Sequence, residues 1–199
     1  MKRRLILGAM LLATLTTGVR AGEEVKTGLK DGKPYFEATS DVTEQASVTA
    51  IDAATRLVTL KKENGETTEI TAGDAVKNFA QIKVGDLVKV RYTEKLTVHV
   101  EAAGTPEMVT ETTTGAAKLG DKPAASATER TQYKASIEAI DKANGTATLK
   151  SYNGETFVMT PLHPENLDKV SIGELVVFTY TEAVAASVEK VAAKKKSKK

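Results

Sequence analysis

The stretch ASVTAID, Ala46 to Asp52, returns as ASIEAID, Ala135 to Asp141. A heptad written twice in one short chain signals a repeated structural unit, and it limits the available folds more than composition does. The match runs on as ASVTAIDAATRLVTLKKENGET (46–67) against ASIEAIDKANGTATLKSYNGET (135–156), at an offset of 89. After a one-residue deletion it resumes at an offset of 88, with NFAQIKVGDLVKVRYTE (78–94) against NLDKVSIGELVVFTYTE (166–182). Two blocks in the same order define a duplicated module of about sixty residues, small enough that it folds alone with little margin.

Each copy reads as β. Asn64-Gly65 and Asn153-Gly154 are hairpin signals, because both positions of the turn tolerate positive φ. Asp52 and Asp141 follow an apolar strand and can close a turn onto their own backbone. Val88, Val90 and Tyr92 alternate with polar neighbours, as Val176, Phe178 and Tyr180 do in the second copy, which is the period of a half-buried strand. Val48 and Ile51 are out of step by one, and Ile137 and Ile140 repeat the break, so a bulge is expected in a long first strand. Asn78-Phe79-x-x-Ile82 and Asn166-Leu167-x-x-Val170 each predict one capped helical turn. The expected fold is therefore all-β, two tandem five-stranded barrels of the OB or SH3-like kind, each with one short helical turn and closed against exposed edges.

Outside the repeats the sequence divides further. Residues 1–21 have a basic start (Lys2, Arg3, Arg4), an apolar run from Leu5 to Leu15 and the small-residue site Val19-Arg20-Ala21, the layout of a cleaved signal peptide. The apolar run is too short to span a bilayer. Export to the periplasm is expected, with no membrane-spanning segment. Residues 22–45 read as a polar arm, 46–102 as the first barrel and 103–134, rich in Thr, Ala, Gly and Ser, as a linker in which Met108 and Val109 could lend a short strand. Residues 135–190 are the second barrel and 191–199 a basic disordered tail. The formal net charge of +2 conceals an acidic body. Four positive charges lie in the first 21 residues and six Lys in the last ten, leaving −8 between them. An acidic body does not suit specific nucleic-acid binding, which needs clustered Lys and Arg. There is no Cys, which removes thiol catalysis, thiolate metal sites and disulfides.

The pattern Ile-Asp, Thr-Leu, Asn-Gly-Glu, Asn-Phe-x-Gln-Ile-x-Val-Gly-Asp-x-Val-x-Val-x-Tyr resembles a largely uncharacterised group of exported bacterial proteins with duplicated small β-barrel modules. In architecture it is also distantly similar to single-barrel periplasmic copper chaperones. Those bind Cu(I) through Met and His beside a Trp, and this chain has no Trp. Only Met159 and His163 of the second copy fit the resemblance as weak metal candidates; the first copy has Ile70 and Asp74 there.

Among other candidates, Asp52, Asp141, Glu94 and Glu182 recur because the module does, and read as turn and solvated charges rather than acid–base pairs. His99 stands alone in a strand, facing away from Val98 and Val100. Tyr92 and Tyr180 read as core residues at a barrel rim rather than stacking platforms. The lysines of the tail, Lys194, Lys195, Lys196, Lys198 and Lys199, suit an anionic surface. No catalytic motif is found and no cofactor is expected. The sequence thus points to a non-enzymatic, exported binding or adaptor protein that acts on an unknown envelope protein or polymer. A metal-handling protein of copper-chaperone type is the alternative, and a carboxylate-dependent envelope hydrolase the weaker one.

Overall fold

A computed structural model describes residues 22–74, 76–118 and 121–190. The expected signal peptide and the tail lysines Lys194, Lys195, Lys196, Lys198 and Lys199 lie outside the described residues. The fold is all-β. In chain order the strands are β1 (Glu23–Lys30), β2 (Lys33–Asp52), β3 (Leu57–Lys62), β4 (Thr67–Thr71) and β5 (Leu87–Glu101), then β6 (Met108–Ala116), β7 (Ala124–Asp141), β8 (Thr146–Lys150), β9 (Thr156–Met159) and β10 (Leu175–Glu189). Short 3₁₀ turns occupy Phe79–Gln81 and Pro164–Lys169, one in each copy as expected, but without the expected asparagine caps: Asn78 makes no side-chain cap bond, and in the second copy Pro164 starts the turn earlier, with its fixed φ, so that Asn166 lies inside it.

The strands form one sheet in the order β4-β3-β2-β5-β10-β7-β8-β9, with β1 on β2 and β6 on β7. The order is a mirrored pair: β2, β3, β4 and β5 of the first copy correspond to β7, β8, β9 and β10 of the second. The expected closed barrels do not form. The sheet is open, and β4 and β9 end its path with one strand neighbour each among the described residues. The strands that would have to close two separate barrels run on instead. β2 has 20 residues and β5 and β10 have 15 each, against a usual strand of about five or six.

The chain packs as two compact units that differ from the two sequence copies. Unit 1 holds the described part of Met1–Asp41, with Thr93–Thr112 and Glu129–Glu182; unit 2 holds Val42–Tyr92, Thr113–Thr128 and the described part of Ala183–Lys199. Each of β2, β5, β7 and β10 begins in one unit and ends in the other. The core of unit 1 is Ala135, Ile137, Ala147, Leu149, Leu167 and Val176, with Val98 of β5 packed against it. That of unit 2 is Val48, Val58, Leu60, Phe79 and Val88, with Val188 of β10. Each core therefore takes an apolar side chain from the last strand of the other copy.

The repeated heptad carries a bulge in each copy. The ladder of β2 with β3 shifts register between Val48 and Ala50, and that of β7 with β8 between Ile137 and Ala139. This is the predicted bulge. At each bulge the main chain pairs instead with the turn before the last strand. Val48 N–H donates to Asp86 O and Gly85 N–H to Val48 O; Ile137 N–H donates to Glu174 O and Gly173 N–H to Ile137 O. Gly85 and Gly173 have φ of 93° and 90°, a left-handed conformation that other residues adopt only with strain.

Two boundaries differ from expectation. Residues 22–45 are not a loose arm: β1 and the first part of β2 form a tight antiparallel hairpin, with Lys30 paired to Lys33 around Asp31-Gly32. Most of 103–134 is not linker either, since it holds β6 and the start of β7. β6 is exposed along its whole length, so hydrophobic alternation could not reveal it. Its Thr-rich run is instead the β-branched composition that suits a strand.

Val188→Ala is expected to cost roughly 1–2 kcal/mol. In native-state hydrogen exchange it should lower the protection of amides near Val48 and Leu60, in the first copy, more than those near Ile137 and Leu149. Loss confined to the second copy would contradict the exchange of strands between cores.

Candidate functional site

Unit 1 contains a cleft of about 410 Å³. Its floor is that unit's own core, Ile137, Ala147, Leu167 and Val176, and its walls come from Phe36 of β2, Leu96, Val98 and Val100 of β5, Met159 of β9, and Phe178 of β10. Thr160, Pro161, Leu162 and His163, which follow β9, and Asn166 of the 3₁₀ turn form the rim. Alternation along the strands produces this surface. On β5 the even-numbered residues face the cleft, whereas Lys95, Thr97 and His99 line a polar groove of about 340 Å³. Tyr35, Glu37, Arg130, Thr179 and Thr181 also line that groove. Tyr35 and His99 border both.

The corresponding region of the first copy is tied together by an arginine that the second copy lacks. In unit 2, Arg56 lies over the ring of Phe79, 4.7 Å from its centroid. Its Nε donates to Ala72 O at 2.8 Å, and its Nη2 to Gly73 O at 2.9 Å and Val76 O at 3.0 Å. Ala72 N–H returns a bond to Arg56 O. The counterparts of Phe79, Ala72 and Gly73 are Leu167, Pro161 and Leu162, all lining the cleft of unit 1. The counterpart of Arg56 is Gly145. Both positions have positive φ, 57° and 67°. The second copy keeps the left-handed φ but has no guanidinium to make these contacts. Pro161 also lacks the N–H that ties Ala72 down.

Aromatic residues are concentrated in the same unit. Of the five Tyr and four Phe, only Tyr92 and Phe79 belong to unit 2. Tyr133 packs on Tyr152, Phe157 and Phe178 with centroids 5.9, 6.5 and 6.0 Å away. The counterparts of Tyr133, Tyr152 and Phe157 are Glu44, Glu63 and Thr68. In sequence these aromatics look scattered, and only β-pairing brings them together. The signal that could have found them is this difference between aligned copies.

The candidates from the sequence are placed as follows. Met159 and His163 both line the cleft. His163 Nδ1 lies 3.3 Å from Glu165 Oε1, and His99 Nε2 lies 3.1 Å from Glu101 Oε1. Among the described residues no group of three or more His, Asp or Glu could hold a metal ion. Asp52 Oδ1 accepts the N–H of Ala54 and Thr55, and Asp141 accepts the N–H and the side-chain amide of Asn144. These bonds, the one from the Thr55 side chain and the one from the Asn144 side chain foremost, hold both carboxyls below their usual range. Such groups stay ionised and close turns. Glu94 is buried and accepts the hydroxyl of Tyr180 at 2.7 Å, so Tyr180 is anchored rather than free to stack. Tyr92 is half-buried in unit 2, and Glu182 is half-buried in unit 1. No helix among the described residues is long and apolar enough to cross a membrane. No known protein family, curated protein or solved structure matches the chain.

In the polar groove Glu37 accepts from Lys95 at 2.7 Å and from the hydroxyl of Tyr35. Those bonds, Lys95 first, hold its carboxyl below the usual range, and the same carboxylate pushes the Tyr35 hydroxyl up to about 12. A carboxyl that is more acidic folded than unfolded stabilises the fold fully above its unfolded value, roughly pH 4.3, and loses that contribution as pH falls through the folded value. Urea midpoints of the wild type are therefore expected to fall with acidification below about pH 4.3. Glu37→Gln should lower the midpoint at neutral pH and flatten that acid limb.

Proposed function

We propose that the protein is a non-enzymatic binding protein of the bacterial envelope, exported through residues 1–21, and that the cleft of unit 1 is its ligand site. One observation carries the reading: in the first copy Arg56 lies over Phe79 and binds the carbonyls of Ala72, Gly73 and Val76, whereas the second copy has Gly145 in place of Arg56, and there the counterparts Leu167, Pro161 and Leu162 line an apolar cleft. Ligand sites are typically concave, mostly apolar and largely preformed, with a few polar groups that orient what binds. The cleft supplies those few as Asn166, His163 and Thr160 on its rim.

Met159 and His163 on one cleft give the metal-handling alternative two ligands, fewer than the three or four that a stable site uses. The hydrolase alternative gains nothing from Asp52 and Asp141, whose oxygens are engaged in turns. Adaptor function at the envelope and tethering through the lysine tail belong to the same reading and rest on the sequence.

The purified chain is expected to bind a neutral apolar dye, N-phenyl-1-naphthylamine, saturably at one site per chain. Leu162 lies at the rim and is 62% exposed. Leu162→Asp should weaken dye binding about fivefold or more while leaving the thermal midpoint nearly unchanged, since exposed substitutions move stability by only about 0.5 kcal/mol. Absence of saturable dye binding would contradict the proposal, as would equal binding by the variant.

A further inference from the structure

We propose that the cleft of unit 1 takes a peptide segment of a partner polypeptide, gripped through backbone carbonyls by the side-chain amide of Asn166. This rests on the cleft being the ligand site. The first copy shows what that asparagine can do. Asn78, its counterpart, is buried, and its Nδ2 donates to Lys118 O at 2.7 Å and to Asp121 O at 2.9 Å. Both acceptors are main-chain carbonyls of the connection between β6 and β7. The first copy thus holds a peptide of its own chain on this amide.

The second copy keeps the asparagine and lacks the segment. The connection between β1 and β2 stands where that between β6 and β7 does, and it is only the turn Asp31-Gly32. Asn166 lines the cleft half-buried, and its Oδ1 accepts Lys169 Nζ at 3.3 Å. Its Nδ2 has no partner among the described residues. An aliphatic chain entering the cleft would shut this amide away from water without an acceptor, which is unfavourable. A peptide carbonyl satisfies it, as in unit 2. β9 runs into the cleft at Met159 and pairs only with β8 among the described residues. Its outer edge offers further main-chain groups to an extended segment. The apolar walls then receive the side chains on either side of the gripped carbonyls.

The test pans phage-displayed random 12-residue peptides on the purified full chain and measures the enriched sequences as synthetic peptides by fluorescence polarisation. Two variants accompany the wild type. Gly145→Arg installs the arginine of the first copy, and Asn166→Leu removes the amide. Enriched peptides are expected to bind about tenfold more weakly to Gly145→Arg and about fivefold or more weakly to Asn166→Leu. Asn166→Leu should lose peptide affinity by a several-fold larger factor than dye affinity, since the dye has no carbonyl for the amide to grip. A Cβ at position 145 would lie 3.3 Å from Pro164 Cβ. If that crowding unfolds Gly145→Arg, the contrast between peptide and dye in Asn166→Leu decides alone. Saturable dye binding with no enriched peptide overturns the peptide inference and leaves the cleft as a site for apolar small molecules. So do peptides that bind Asn166→Leu undiminished. Loss of both dye and peptide binding in the wild type removes the underlying reading as well.

Discussion

The structure depends on strands that are too long for one core. Twenty residues at about 3.3 Å each make β2 roughly 66 Å long if straight, far beyond the span of a module of about sixty residues. Such a strand must leave one core and enter another. β2 passes between units at Asp41/Val42 and β7 at Thr128/Glu129; the bulges at Val48 and Ile137 come later, inside the second unit each strand enters, and shift the ladder there by one residue. The exchange then follows on both sides: Val98 of the first copy packs in one core and Val188 of the second in the other.

This exchange explains what could be read from the sequence. Local features were legible because their causes are local. The Asn-Gly hairpins, the Asp52 and Asp141 turns, the bulges and the two helical turns each follow from a few neighbouring residues, and the repeat doubled every signal. The partnership of cores was not legible. Nothing near Val188 says that it packs against Val48 and Leu60. The polar strand β1 and most of β6 were not legible for a related reason: they are exposed along almost their whole length and carry no period, and only the start of β6, at Met108 and Val109, was signalled. The expectation of closed barrels failed because two repeats suggest two independent modules, whereas here the last strand of each copy finishes in the other's core.

The cleft was only half visible. Met159 and His163 were marked as neighbours in sequence, and both line it. What distinguishes it from the first copy is an aligned difference, Arg56 against Gly145, with Ala72 against Pro161 beside it. Each substitution removes one tie: the first a guanidinium that binds three carbonyls, the second an N–H. Duplication makes such differences informative. The first copy serves as an internal control for the second, with the same bulge, the same turn and nearly the same positive φ.

The most direct measurement is a methyl-resolved NMR titration of the wild-type chain with the neutral naphthylamine dye. The Met159 and Leu167 methyls should shift saturably, while Ile70, the counterpart of Met159, and Val88, the counterpart of Val176, stay still. Equal shifts in both copies, or none at Met159, would contradict the claim that the second copy alone carries the ligand site.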